Sequence, residues 1–262
     1  MTNEIALLCQ LLLAYGMVFG VFILYGQTGL LAWNVFSVVV MNIEVQMQIT
    51  AFGLNMTLGN ILFATTFLVT DILSELYGKK SAEKCVKIGI ITSVLFIVMT
   101  QLWFQFIPNE FDYICPALHT VFNNTPRIIF ASLAVYAIVQ KFDVWAYHKW
   151  WEWTTNIAGD KDKYLWLRNN FSTLISQALN AFLFTYIAFY GIMENLFTIA
   201  ISTYIFSVVL AILDTPVIYA CRKWHKKHLG VRCQVRGLRE SRHSANPCVP
   251  LRGEESHEVA KG

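Results

Sequence analysis

Charged side chains are scarce in this sequence. Asp, Glu, Lys and Arg make up 14% of its 262 residues, little more than half of the roughly 25% usual in soluble globular domains. Apolar residues reach 56% and the mean hydropathy is +0.49. That balance excludes a soluble enzyme. Chemistry-bearing motifs are missing as well. There is no HExxH, no GxSxG and no P-loop or Walker-type lysine, so hydrolysis of ATP by that route is not encoded. The six cysteines (Cys9, Cys85, Cys115, Cys221, Cys233 and Cys248) form no CxxC pair and no metal-ligand spacing. Four of them lie in or beside apolar runs and read as small buried residues. His119 and His148 fall in loops, and the other histidines lie at or beyond the carboxyl-terminal end of the last run. No catalytic residue, metal or cofactor is expected. Ahead of the first apolar run, Met1-Thr2-Asn3-Glu4 carries no positive charge, and that run ends without a small-x-small site. The first span is therefore expected to be retained rather than cleaved.

Long apolar runs are what the chain does have. Seven emerge, at about 5–25, 29–50, 57–77, 85–107, 127–147, 170–190 and 196–221. Each can cross a hydrocarbon core of about 30 Å as a helix. They are too long and too evenly apolar for barrel strands, which run about 9–11 residues and alternate. The expected fold is all-α, a polytopic transmembrane helical bundle of about seven spans. Six would remain if the polar second and third runs formed a broken or re-entrant segment.

Positive charge sets the expected orientation. Lys79, Lys80, Lys84 and Lys87 follow the third run. Lys149, Lys161, Lys163 and Arg168 lie between the fifth and sixth, and Arg222, Lys223, Lys226 and Lys227 follow the seventh. The intervening loops carry Glu110, Asp112 and Glu194, with Arg127 at one edge. Seven spans with the amino terminus outside and the carboxyl terminus cytoplasmic put all three basic clusters on one side of the cell membrane. Trp145, Trp150, Trp151, Trp153 and Trp166 flank the second cluster as an interfacial aromatic belt. Gly16 and Gly20 form a GxxxG that would seat a neighbouring helix and leaves a homodimer open. The transmembrane domain is expected over 1–228, followed by a polar tail at 229–262 without apolar period, read as disordered. The net charge of +3 belongs to that end of the chain. From Arg222 onward ten Lys/Arg face four Asp/Glu, which reports topology and is no evidence for nucleic acid.

A charge at the bilayer centre costs about 2.5–3.5 kcal/mol on insertion scales. Even so, Glu44, Asp71, Glu75, Asp143 and Asp214 all fall inside apolar runs. Asp71 and Glu75 are four apart and share a helix face, with Thr66, Thr70, Ser74 and Tyr77 beside them. Two such carboxylates either share a proton or bind something cationic or rich in donors. The fifth run presents Ser132, Tyr136, Gln140 and Asp143 on one face, and the sixth Thr173, Gln177 and Asn180 after Trp166-Leu167-Arg168-Asn169-Asn170. The second carries Ser37, Met41, Glu44 and Gln48, with Asn42 and Gln46 adjacent. A single amide reads as a helix–helix hydrogen bond. Four polar stripes must converge on a shared interior, which is a pathway or a ligand cavity.

At Thr70-Asp71-Ile72-Leu73-Ser74-Glu75-Leu76-Tyr77-Gly78-Lys79-Lys80 the chain resembles the queuosine precursor transporter family of integral membrane proteins. The likeness extends to Asn42-Ile43, Thr125-Pro126-Arg127, Ala131-Ser132-Leu133, Gln140, Asp143, the Trp166 to Asn170 run, Ser172-Thr173 and Gln177, over about residues 35–215. Met47 stands where a lysine is expected of the family, and Asn180 where aspartate is common. The resemblance implies uptake of 7-deazaguanine bases, such as 7-cyano-7-deazaguanine and its 7-aminomethyl derivative, for queuosine synthesis in tRNA. The polar stripes and the resemblance together give Asn42, Glu44, Gln46, Thr70, Asp71, Glu75, Ser132, Gln140, Asp143, Arg168, Asn169, Asn170, Gln177 and Asn180 as the expected substrate contacts. Such a base offers N1–H and an exocyclic amine to a carboxylate, O6 to an amide donor and a flat face to aromatic rings. The expected partners are this small molecule and the lipid bilayer, with no nucleic acid. The rival readings are a proton or cation channel through Glu44, Asp71 and Asp143, an intramembrane enzyme, and a substrate-capture subunit of a vitamin-type importer driven by a separate ATPase.

Overall fold

A computed structural model of the chain describes residues 2–122, 126–158, 165–191 and 194–240. Among these residues there are seven long helices, one short helix and a single β-hairpin. In chain order they are α1 (Asn3–Tyr25), α2 (Gln27–Glu44), β1 (Gln48–Ala51), β2 (Leu54–Thr57), α3 (Asn60–Tyr77) and α4 (Lys79–Trp103). There follow α5 (Cys115–Phe122), α6 (Pro126–Ala158), α7 (Leu165–Phe189) and α8 (Leu196–Glu240). Four stretches are long and apolar enough to cross a membrane by length and composition: α1, α4, Asn169–Phe189 of α7 and Leu196–His228 of α8. Helices α2, α3 and α6 are the more polar remainder. The chain is a multi-pass helical bundle.

The second expected span is corrected. Helix α2 stops at Glu44 rather than near residue 50, and the chain turns into the antiparallel hairpin, pairing Gln48 with Thr57 and Ala51 with Leu54. Gln46 and Gln48 are poor residues for a lipid-facing helix, whereas Ile49, Thr50 and Thr57 are β-branched and suit a strand. The two-residue turn, Phe52 and Gly53, has positive φ at both positions (54° and 74°), the form whose twist matches a hairpin. Asn3 Nδ2 donates to Thr50 O at 2.9 Å, and the Phe52 N–H to Glu4 Oε1 at 3.3 Å, tying the hairpin to the start of α1.

Helix α3 is the axis of the bundle. Nearly every side chain from Ile61 to Ser74 is buried, and α2, α4, α6 and α1 all pack on it, while α6 lies most extensively against α7. Its hydroxyls first satisfy themselves locally: Thr65 donates to Leu62 O at 2.8 Å, Thr66 to Phe63 O at 2.7 Å and Thr70 to Phe67 O at 2.9 Å. Such back-bonding makes a polar helix tolerable in a dry surrounding. Phe67, Val135 and Val139 form the apolar core between α3 and α6.

The chain divides into two units, Met1–Arg222 and Lys223–Gly262. Helix α8 continues to Glu240, past the boundary expected at 228, and residues 241–262 of the tail lie outside the described residues.

A one-residue joint, Gly78, separates α3 from α4. Its backbone at φ 83°, ψ 172° lies in a region that is essentially glycine's alone. Gly78→Ala should therefore cost about 1–3 kcal/mol. Gly20→Ala, inside α1 where an added Cβ meets nothing within 4 Å, should hold or slightly raise the melting temperature in detergent. Equal melting temperatures for the two variants would contradict this backbone assignment.

Candidate functional site

The polar stripes do converge, and they do so as pairs between helices. Trp33 Nε1 donates to Thr65 Oγ1 at 3.1 Å, and Ser37 Oγ lies 3.3 Å from the same hydroxyl, joining α2 to α3. One residue on, Gln140 Nε2 of α6 donates to Thr66 Oγ1 at 2.6 Å. Thr173 of α7 donates to Asp71 Oδ2 at 3.2 Å, and Ser176 of α7 to Asp143 Oδ1 at 2.8 Å. Asp71, Gln140, Asp143, Thr173, Ser176 and Gln177 are all buried. Several of their acceptors have no hydrogen-bond partner, namely Gln140 Oε1, Gln177 Oε1 and Asp143 Oδ2. So does Asp214 Oδ1 on α8, and both side-chain atoms of buried Asn169 are in the same state. These groups give the bundle a polar interior in which hydrogen-bonding capacity is left over.

Asp71 and Glu75 share a helix face but turn to different partners. Glu75, whose side chain is only 4% exposed, receives Tyr147 Oη at 3.0 Å on Oε2 and faces Arg222 Nε at 3.2 Å from Oε1. These contacts link α3, α6 and α8 into a clasp at the carboxyl-terminal end of α3. From the sequence alone, Arg222 is only one of the basic residues that follow the last span. The residue completes a buried ion pair instead.

At the opposite end of α3 lies a cavity of about 400 Å³, within the size range of small-molecule sites. The hairpin contributes Gln48, Ile49, Thr50, Met56 and Thr57 to it, and α3 contributes Asn60 and Phe63. From α6 come Ser132 and Val135, and from α7 Asn180, Phe184, Thr185 and Phe189. Phe63 also packs edge-on against Phe67, with ring centroids 5.1 Å apart. From Phe63 down to Asp71 is about 12 Å along the helix, and to Glu75 about 18 Å.

The expected site residues therefore fall into separate places. Ser132 and Asn180 line the large cavity. Asn42 and Gln46, again with Ser132, line a much smaller one, and Ser132 Oγ donates to Asn42 Oδ1 at 3.4 Å. Glu44 is directed to α1, where Gln10 Nε2 donates to its Oε1 at 2.9 Å. Thr70, Asp71, Gln140, Asp143, Asn169 and Gln177 are buried below the large cavity without lining it, and Glu75 belongs to the clasp. Asn170 Nδ2 donates to Thr215 Oγ1 on α8 and to Trp166 O, each at 2.8 Å. The side chain of Arg168 lies outside the described residues, as do Lys161, Lys163 and the Arg127 side chain. Asn60, Phe63, Phe184 and Thr185 were not anticipated. An aromatic in an apolar run carries no mark that distinguishes a cavity wall from a lipid contact. No group of three or more His, Cys, Asp or Glu residues among the described residues could hold a metal ion.

Breaking the clasp tests its weight. Arg222→Met leaves the Glu75 carboxylate with its Tyr147 hydroxyl but without its cation, and removing one partner of a buried ion pair costs about 3–5 kcal/mol. The double variant Glu75→Gln/Arg222→Met should regain most of that loss in a melting experiment. A single variant as stable as the parent would show the ion pair to be energetically idle.

Residues 57–221 match the family model described as "Putative vitamin uptake transporter". The chain is 35% identical over 201 residues to a Bacillus subtilis (strain 168) protein named "Probable queuosine precursor transporter", an alignment that covers 76% of this chain and 86% of that protein. No solved structure matches.

Proposed function

The chain belongs to the queuosine precursor transporter family, and on that premise we propose that it imports a 7-deazaguanine base across the cell membrane by exposing the hairpin-side cavity and the clasp side in alternation. The observation that carries this reading is the polar column on α3. It begins at a cavity sized for a small heterocycle and passes the unpaired acceptors around Gln140, Asp143 and Gln177. It ends at the Glu75–Arg222 pair. Phe63 and Phe184 offer flat apolar faces to the ring, while Asn60 and Asn180 offer an acceptor and a donor each to its polar edge.

In this reading the hairpin end faces outside and the clasp faces the cytoplasm, in keeping with the basic residues Lys79, Lys80, Lys84 and Lys87 beside the clasp end of α3. The clasp is then the closed inner door, and separating α8 from α3 there opens the path. Asp71 and Asp143 lie between the two ends, where a base in transit can exchange the Thr173 and Ser176 hydroxyls for its own N1–H and amine. The transporter performs no chemistry on its substrate.

The test is uptake. Expressed in cells unable to make deazaguanines, the chain should restore queuosine in tRNA when 7-cyano-7-deazaguanine is supplied outside. Asp71→Asn preserves volume but replaces an acceptor by a donor. Because Asp71 lies below the cavity, binding to purified protein should hold within a few-fold, while uptake falls by about tenfold or more, the equivalent of 1.4 kcal/mol on the transport barrier. Undiminished uptake by this variant would remove Asp71 from the path. No rescue by the parent would remove the function.

A further inference from the structure

We infer that import is coupled to protons and that Asp214 of α8 carries the proton, taking it from the outer side with the base and giving it up to the cytoplasm. The inference rests on the chain being an importer of the base and supplies its driving force.

Asp214 is only 3% exposed, although its neighbours Ile212 and Leu213 lie on the outer surface of the bundle. It neither lines the cavity nor belongs to the clasp, and its Oδ1 has no hydrogen-bond partner. Tyr15 of α1 and Asp71 of α3 face it, and Asp71 in turn lies within electrostatic reach of Asp143 on α6 and of Glu75. Three buried carboxylates from three helices thus act on one another. Among the described residues no Lys, Arg or His meets any of them. Lys141 of α6 is exposed, and Arg222, two turns beyond Asp214, is held by Glu75. Hydroxyls are the help at hand, Thr173 for Asp71 and Ser176 for Asp143.

A carboxylate in a bilayer core is protonated, paired or hydrated. Without a cation to pair with, these carboxylates hold a proton whenever both ends of the path are closed. Protonation also creates an O–H donor among acceptors, since Gln140 Oε1, Gln177 Oε1 and Asp143 Oδ2 lack partners. A metal ion suits the place less well, because no group of three or more His, Cys, Asp or Glu among the described residues could hold one.

Its helix singles Asp214 out from the three. Helix α8 carries Arg222 of the clasp, and Pro216, two residues past Asp214, has no N–H to give to Ile212 O. The helix is therefore free to bend beside the carboxylate when the clasp parts. Tyr15 Oη donates to Leu210 O at 3.2 Å, one turn of α8 before Asp214. Rotation of that hydroxyl toward the carboxylate supplies a donor once the proton has left, and its return to Leu210 accompanies reprotonation. One proton joins the Asp214 carboxylate from outer water, crosses with one neutral base and leaves to cytoplasmic water. No bond but that O–H is made or broken.

The experiment uses the purified chain in lipid vesicles with labelled 7-cyano-7-deazaguanine. With the outer medium one pH unit more acid than the lumen, the parent should accumulate the base several-fold, up to about tenfold for one proton per base, and a protonophore should abolish the accumulation. Asp214→Asn should lose accumulation yet still exchange labelled for unlabelled base across the membrane. Asp214→Glu, which keeps the carboxyl and moves it by one methylene, should accumulate the base with the outer-pH dependence displaced from the parent's. Equilibration without accumulation by the parent overturns proton coupling and leaves the transport function standing. Accumulation by Asp214→Asn equal to the parent's, loss of exchange in folded Asp214→Asn, or an undisplaced pH dependence in Asp214→Glu overturns the carrier role of Asp214. Absence of any uptake or exchange by the parent overturns the function itself and with it the inference.

Discussion

A polar or charged side chain in a bilayer core must be protonated, paired or hydrated, because lipid offers it nothing, and the bundle is arranged around a helix on which this rule bears heavily. Between Asn60 and Tyr77, α3 carries four threonine or serine hydroxyls and two carboxylates. It can sit in the membrane only if other helices cover it on every side. That requirement explains why α3 is buried along nearly its whole length, why α2, α4 and α6 pack on it, and why the polar faces of α6 and α7 are turned inward. The apolar faces of α1, α4 and α8 are left for lipid. Leu12, Leu24, Leu95 and Ile212 are among their exposed side chains.

The same constraint divides the polar column into parts with different jobs. At the clasp, a cation meets the carboxylate, and the largely buried Glu75–Arg222 pair joins α3 to α8. In the middle, Asp71 and Asp143 have hydroxyl donors and no cation among the described residues. That arrangement satisfies them weakly and leaves room for exchange. At the hairpin end, polarity is carried by uncharged groups around an open volume. Strength of pairing thus rises from cavity to clasp, a gradient suited to a guest that must enter, pass and leave.

Much of this was legible in the sequence, for reasons of spacing. Residues four apart share a helix face, so the polar set on α3 and the inward faces of α6 and α7 could be read directly, and Thr66 with Gln140 and Asp71 with Thr173 are the contacts those faces make. The hairpin was not legible as such. A short apolar segment with β-branched residues looks like a continuing helix until Phe52 and Gly53 are seen to turn it. The cavity walls were illegible for a different reason. Phe63 and Phe184 have the side chain that lipid-facing positions also use, and only their tertiary placement gives them a binding surface. Arg222 was visible but its role was not, because a cation at the end of a span serves topology equally well until a buried carboxylate is found within reach of it.

The central claim is that the hairpin-side cavity opens to the outside and holds the substrate, and the labelling rate of a cysteine placed at Asn60 tests it most directly. In intact cells, with the native Cys9 and Cys115 replaced, a membrane-impermeant thiol reagent applied from outside should modify Asn60→Cys, and 7-cyano-7-deazaguanine should slow that reaction in a saturable way. Labelling that requires permeabilised membranes, or that proceeds at the same rate with the base present, would contradict the account.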